Sequence, residues 1–411
     1  MNKVFFDRSR MNYFPLKDRS SKVDITKAAV MPETILGSIA EQRTSSFLHE
    51  NLDEKCGLLA AEIKQARKNN SSVICTFGAH AIKNGLGPLL GEMLRKGWFT
   101  HLASNGAAVI HDWEFSWLGK SSEDVRENVS RGKFGTWEET GLYINLALAA
   151  GAYRGLGYAA SVGKMIAGQG IEIPERNELL NDVSLALKAG QENCGQNDRG
   201  ISEQDTVHKY AEKAAAALDL YSLLENLKIP SGFLSIPHPY RQYSLLASAY
   251  ELGKPFTCHP MFGHDIIYTH MANRGAVIGR SAEKDFLEFV ASVEGLEGGV
   301  YLSVGSAVMS PMIFEKAISM ARNAFIAENG PGLAAGKNND ASGLPLRNLG
   351  IYVIDLQESG WDWSKGEPPM NNPAYYLRYM KSFNRMGCRT QYITADNRDF
   401  FISLYRSLES I

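Results

Sequence analysis

The sequence predicts a doubly wound α/β protein, a mostly parallel sheet with helices on both faces. Three observations predict it. From residue 51 onward, short β-branched runs alternate with helical stretches long enough to serve as crossover connections. The runs SVICTF (72–77), GVYLSV (299–304) and IYVIDL (351–356) are apolar and short enough to be buried strands. Several of these strands then run into small or polar residues before a helix begins, as loops do where a parallel sheet meets a ligand.

Residues 1–45 are charged and weakly periodic, and read as an extension that wraps the body or a neighbouring subunit. Residues 46–411 read as one large α/β domain with a helical insertion at about 137–225. Within it, Asn51–Lys68 is a predicted helix with Leu52, Leu59 and Ile63 on its apolar side, and Ser72–Phe77 is the first strand. Ala81–Lys96 carries Ile82, Leu86, Leu89, Leu90, Met93 and Leu94 as one stripe, which predicts a single helix stopped by Gly97. Phe99–Ala103 is a second strand, and a helix begins at Ala107. The insertion contains ALAAGAYRGLGYAASVGKMIAGQG (147–170), whose small residues let helices approach each other, or a ligand, closely. The polar stretch 191–205 is a hinge or surface excursion. Alternation then resumes: strand Lys254–Cys258, helix Ala282–Val293, strand Gly299–Val304 and helix Pro311–Asn323. A Gly/Asn-rich loop (328–348) leads to strand Ile351–Leu356, helix Pro373–Met386, strand Gln391–Thr394 and helix Asn397–Leu408.

The bulk numbers remove several classes. The chain has 411 residues, 44% hydrophobic and 21% charged, enough to bury a large core without cross-links. A net charge of −2 with no basic stripe argues against nucleic acid as a partner. No apolar run reaches the roughly 18 residues of a spanning helix, and the mixed N-terminus is no secretory signal, so a cytoplasmic protein away from the membrane is expected. The cysteines Cys56, Cys75, Cys194, Cys258 and Cys388 are odd in number and scattered, which predicts reduced thiols filling the core.

Candidate chemistry gathers at the strand ends. Gly78-Ala79-His80, Ser104-Asn105-Gly106, Gly305-Ser306-Ala307 and Ala395-Asp396 each bring small residues to a helix start, where backbone N–H groups can approach a phosphate. No G-x-G-x-x-G is present, so the case for a nucleotide rests on the four turns together, against glycine turns that only pack. The segment His259-Pro260-Met261-Phe262-Gly263-His264-Asp265, with His270 beyond it, allows two readings: a substrate-facing turn built on Asp265, or a metal site of His259, His264, Asp265 and His270. Asp112 and Glu114 lie among Trp113, Phe115 and Trp117, either as core at a helix edge or as the wall of a site for a cationic amine. Lys381, between apolar Leu377, Met380 and Phe383, reads by itself as a solvated lysine.

The order of these motifs, from about residue 72 to 408, resembles the deoxyhypusine synthase family. TFGAHAIKNGLGPLL, ASNGAAVIHDWE, CHPMFGHDIIYTH, the turn Val304-Gly305-Ser306-Ala307-Val308, IYVIDLQES and Ala395-Asp396 are similar to its successive segments. The resemblance implies NAD as cofactor and removal of hydride from an amine carbon of spermidine or a related polyamine. An aminobutyl group would then pass to a lysine, which places Lys381 at the nucleophile, and on to an acceptor. It also implies a homotetramer, and substrate contacts from Asp265, His264, Glu358, Asp362 and Trp363. Three departures stand out: Ser310-Pro311 where the family has Lys-His, Tyr379 for a tryptophan before the lysine, and rearranged acidic residues around Asp362.

Overall fold

The computed structural model describes residues 5–37, 51–193, 201–330 and 343–410. The central sheet has six strands, β1 (Val73–Phe77), β2 (His101–Ser104), β3 (Phe256–Cys258), β4 (Val300–Val304), β5 (Gly350–Asp355) and β6 (Arg389–Thr394). They lie side by side in the order β6-β5-β4-β1-β2-β3, and every pairing is parallel. Read from the other edge this is 3-2-1-4-5-6, the order of doubly wound dinucleotide-binding sheets.

The strands are apolar on both faces because both are covered. Val73, Cys75 and Phe77 of β1, Val300, Leu302 and Val304 of β4, and Tyr352 and Ile354 of β5 point into one core. The residues between them, Ile74, Tyr301, Ile351 and Val353, point into the other. The first core is covered by helices α1 (Leu52–Lys68), α2 (Ala79–Lys83), α3 (Gly87–Arg95), α4 (Gly106–Leu118), α5 (Glu138–Tyr153), α6 (Tyr158–Ala167), α7 (Arg176–Asn193), α8 (Ile201–Leu227) and α9 (Leu245–Glu251), with the C-terminal helix on the same side. The second is covered by α10 (Gly275–Glu294), α11 (Met309–Asn329) and α12 (Arg378–Arg385). Helix α13 (Asn397–Glu409) closes the chain against α1.

Two expectations need correction. The predicted helix Ala81–Lys96 is two helices, α2 and α3, broken at Asn84–Leu86. Gly85 there is left-handed (φ +80°), and a Cβ on it would lie 2.1 Å from the Ala28 carbonyl oxygen, so glycine lets the N-terminal segment pass. The predicted helix Pro373–Met386 is likewise divided, a short 3-10 turn Pro373–Tyr376 followed by α12 from Arg378. Within the mainly helical insertion, Gly170–Ile173 is a strand that pairs antiparallel with Gly232–Ser235 beyond it. Parts of three predicted segments, 38–45 of the extension, 194–200 of the polar stretch and 331–342 of the Gly/Asn-rich loop, lie outside the described residues, as does Cys194.

The N-terminal segment wraps the body of its own chain. Leu16, Ile25, Val30 and Ile35 are buried in the first core. Arg19 lies beneath the surface with both terminal nitrogens 2.7 Å from the Glu114 carboxylate oxygens of α4. Among the described residues no helix is long and apolar enough to cross a membrane.

Candidate functional site

Because all six strands run the same way, their carboxyl ends form one edge, and the four small-residue turns lie along it in sheet order. The chain leaves β1 toward the first core through α2, and leaves β4 toward the second core through α11. Neighbouring crossovers that depart to opposite faces open a crevice between them, and here it lies between Gly78 and Gly305. The two loops meet at its floor. The Gly78 N–H donates to the Val304 carbonyl (3.0 Å), and a Cβ on Gly78 would lie 2.2 Å from the Gly305 oxygen. Gly305 is left-handed (φ +56°), with open space where its Cβ would be. Helix α11 begins at Val308 without a side-chain cap, while Ser306 Oγ accepts from Ser310 N (3.3 Å). The positive end of a 21-residue helix therefore faces this edge. Farther along it, His80 is exposed, and Asp396 caps α13 by accepting from Arg398 N (2.8 Å).

On the other side of β1 the turn after β2 holds the acid singled out from sequence. Ser104 Oγ donates to the Phe77 carbonyl (2.7 Å), and Asn105 Oδ1 caps α4 by accepting from Ala108 N (3.1 Å). The next residue must be small, since a Cβ on Gly106 would lie 2.3 Å from Asp265 Oδ2. Asp265 is 8% exposed, and its Oδ2 has no hydrogen-bond partner among the described residues. The buried Tyr158 hydroxyl, without a partner among the described residues, belongs to the same electrostatic neighbourhood, and the Tyr268 hydroxyl stands near enough to interact with Asp265 without closing a short hydrogen bond. Burial pushes the Asp265 carboxyl up to about 6, with Tyr268 and His264 pulling it back. At neutral pH it is an anion held away from water beside the start of α4, without an ion-pair partner within 4 Å among the described residues. It opens into a cleft of about 270 Å³ with Lys83, His111 and His264, walled by Ile110, Phe134 and Ile266.

The other sequence candidates go elsewhere. Asp112 accepts from Ser244 Oγ (2.5 Å) and from the backbone of Leu245 and Leu246, capping α9, while Trp113 is core. Glu114 accepts from Arg19, from Ser121 (2.5 Å) and from Thr140 (3.0 Å). Burial works against the Glu114 charge, but Arg19 and Ser121 outweigh it and hold the carboxyl below its usual range. Neither acid is free to receive an amine.

The histidines of the metal reading diverge. His259 joins Thr257 (3.0 Å), which joins His101 (2.8 Å), whereas His270 lies 3.3 Å from Glu138 and His264 is exposed. Among the described residues no group of three His, Cys, Asp or Glu side chains is placed to hold a metal. That alternative is not assembled. Cys56, Cys75, Cys258 and Cys388 are buried free thiols.

Lys381, Glu358, Asp362 and Trp363 belong to the β5–β6 half of the molecule. The Lys381 ammonium stands 3.5 Å from the Tyr375 ring centre and 4.0 Å from Glu367 Oε1. Glu358 is exposed, Asp362 caps a short turn by accepting from Ser364 N (3.1 Å), and Trp363 is core with Nε1 on Ser359 Oγ (3.1 Å). Asp265 packs beside β2 instead. In the sheet, β2 lies three strands from β5 and four from β6. Ser310, where the resembled family has lysine, points into a buried hydroxyl cluster with Thr76 (2.6 Å) and Tyr301 (2.9 Å). Lys83 and Tyr158 were not anticipated: one reads as a helix lysine, the other as one aromatic in a small-residue stretch.

Strand order and crevice define a doubly wound α/β protein of dinucleotide-binding architecture. No protein-family model matches the chain, and no curated protein matches it. Among solved structures it is similar to AgrE in ternary complex with ornithine and NAD+ (14% identity, 89% of this chain and 34% of that one, TM-score 0.37). It is similar to ArgZ, described as an arginine dihydrolase from the ornithine–ammonia cycle in cyanobacteria (12%, 89% and 33%, TM-score 0.37). A third likeness is to a LOR/SDH protein from Methanococcus maripaludis S2 (11%, 90% and 73%, TM-score 0.37). The chain thus spans about a third of AgrE and of ArgZ. At such identities and TM-scores these likenesses assign neither family nor substrate, and none of the three is a deoxyhypusine synthase, the family expected from the motif order.

Proposed function

We propose that the protein is a nicotinamide-dinucleotide-dependent enzyme that oxidises an amine at a carbon next to nitrogen. One observation carries this reading: the all-parallel order 3-2-1-4-5-6, which puts Gly78 and Gly305 at the reversal point of the crossovers. The fit to a dinucleotide rests on the open Cβ position of left-handed Gly305 and on the start of α11, where Val308 supplies no side-chain cap and Ser306 Oγ takes only the Ser310 N–H, which suits a pyrophosphate. Gly305, Ser306, Gly78, Ala79 and His80 would hold the phosphates, with Ser104, Asn105 and Gly106 on one flank and Ala395 and Asp396 on the other. When bound, the nicotinamide supplies the hydride acceptor.

The chain's own contribution starts with Asp265. Its unpartnered oxygen would take the substrate ammonium, and Gly106 lets the carboxylate approach the edge. The apolar walls of the cleft would exclude water from the carbon that loses hydride. The His111 imidazole, which burial holds down to about 4, is neutral at working pH; of the other cations lining the cleft, Arg19 is spent on Glu114, and Lys83 is the one a substrate ammonium would have to share it with.

In the finer form drawn from the motif resemblance, within a tetramer, the Lys381 amine would add to the imine carbon left by oxidation, and the carbon–nitrogen bond to the rest of the polyamine would break, leaving the aminobutyl group as an imine on Lys381 and releasing the remainder as a diamine. Transfer depends on oxidation because only the oxidised amine carries an electrophilic carbon for a lysine to attack. The test is to mix protein, NAD+ and spermidine, follow reduced nicotinamide, trap with borohydride and map adducts. Reduced nicotinamide with spermidine or another polyamine supports the proposal, and an adduct on Lys381 supports transfer. Reduction without that adduct removes only the transfer step. Dinucleotide binding with no turnover on any amine would overturn the enzymatic reading.

A further inference from the structure

The segment 147–170 builds a second cavity that the proposed reaction does not use. About 310 Å³ lies among α5, α6, α9 and the ribbon of Gly170–Ile173 with Gly232–Ser235. It shares no lining residue with the Asp265 cleft, and its size falls at the lower end for small-molecule sites. The space follows from the sequence. Ala147, Ala150 and Gly151 recur on one face of α5 at helical spacing, and none has a side chain long enough to fill the gap.

The walls are aromatic and unusually open. Phe233 is 55% exposed and Tyr250 38%. Phe233 lies across Gly170, where a Cβ would be 2.5 Å from the ring, so glycine is what lets the ring lie against the strand.

The polar groups at this cavity are mostly cationic. Arg154 and Lys164 both line it, and Arg154 spends one terminal nitrogen on the Glu172 backbone carbonyl (3.3 Å). Glu172 is close enough to be felt, yet forms no ion pair with either cation among the described residues. Partial burial and then Arg154 hold the Lys164 ammonium below its usual value, with Glu172 acting the other way. Two like charges facing a shared apolar space repel each other, and an anion between them relieves both.

We infer that this cavity binds a small amphiphilic anion, its acid group between Arg154 and Lys164 and its flat apolar body against Phe233 and Tyr250. A neutral apolar molecule would leave the cation pair uncompensated, and a cation would add to the repulsion. The guanidinium fork suits a carboxylate, sulfonate or phosphate.

The test uses the full chain and two dyes with the same body: anilinonaphthalene sulfonate and the uncharged phenylnaphthylamine. The sulfonate dye is expected to bind saturably at one site. The double variant Arg154→Gln/Lys164→Met should weaken it at least about tenfold and leave the weaker binding of the neutral dye unchanged. Arg154 is exposed and Lys164 half-buried, so this variant keeps the fold, as circular dichroism would verify. Ala150→Leu, which fills the floor, should abolish binding of both dyes, and if it fails to fold the charge variant decides alone. No binding of the sulfonate dye, or equal binding to wild type and charge variant, would overturn the inference. Amine oxidation at the other edge is untouched by either result.

Discussion

Asp265 shows how one side chain acquires a role from its surroundings. A carboxylate buried at the start of α4 with an unpartnered oxygen is costly unless a cation completes it. Replacing it by the isosteric asparagine removes a charge-assisted bond of about 1.5–3 kcal/mol. Asp265→Asn should therefore lower kcat/KM for the amine by about ten- to a hundredfold, with dinucleotide affinity unchanged in a direct titration. Only the ionised acid holds an ammonium, so amine affinity should fall as pH drops through about 6, and the pH profile of KM reads this directly. The sequence marked Asp265 because an acid stood in a Gly/His turn. It could not mark Lys83, which lines that cleft from α2, or Tyr158, which is buried within the electrostatic reach of Asp265. Nor could it tell His259 from His270: in sequence they belong to one cluster, and in space their rings bond to Thr257 and Glu138.

At the scale of elements, two contacts decide much of the architecture. The β1 and β4 loops touch at Gly78, where any Cβ meets backbone that cannot move aside. Gly78→Ala should cost about 1–3 kcal/mol in stability and weaken dinucleotide binding at least tenfold, as denaturation and titration would report. Unchanged binding would move the cofactor away from this crevice. The second contact is Arg19 with Glu114, which ties the N-terminal segment to α4. Arg19→Met leaves a buried carboxylate without its cation and should cost about 3–5 kcal/mol. Adding Glu114→Gln, which keeps hydrogen bonding to Ser121 and Thr140, should restore much of that loss. Equal instability of the single and double variants in urea would show that the segment is held by its apolar side chains alone. The split of one predicted helix into α2 and α3 belongs to this scale too. An unbroken hydrophobic stripe signals helix, while the break is imposed by Ala28, a residue distant in sequence.

The whole molecule carries several buried titratable groups with opposing pH effects. Burial lowers His101 and His259 to about 3 and His111 and His238 to about 4, and it also lowers His270. Their unfolded forms take up protons first, so the stability they contribute is complete above about pH 6.5 and is lost on acidification toward their folded values. Asp112 and Asp265 are raised to about 6 and Asp285 to about 8, chiefly by burial. Their contribution is fullest below the unfolded value and is lost as pH rises through the folded one. Five histidines outweigh three aspartates on the acid side, while on the alkaline side Asp285 acts first and buried thiols such as Cys56, raised by burial to about 11, add to it above their unfolded value. Stability to denaturant should therefore peak at about pH 6.5, falling steeply below and gently above. A monotonic rise from pH about 5 to about 9 would contradict these burials.

By itself the sequence determined the kinds of elements, their order, the parallel class of the sheet and the small residues at its carboxyl ends. Those properties follow from hydrophobic period and local sterics, which short windows of residues carry. Only the tertiary structure decided that β1 lies between β4 and β2, that Gly78 faces Gly305 and Gly106 faces Asp265, and that Lys381 stands in the other half of the molecule. Those relations are contacts between residues far apart in the chain, chosen by how two layers of helices cover one twisted sheet, and no local pattern encodes them.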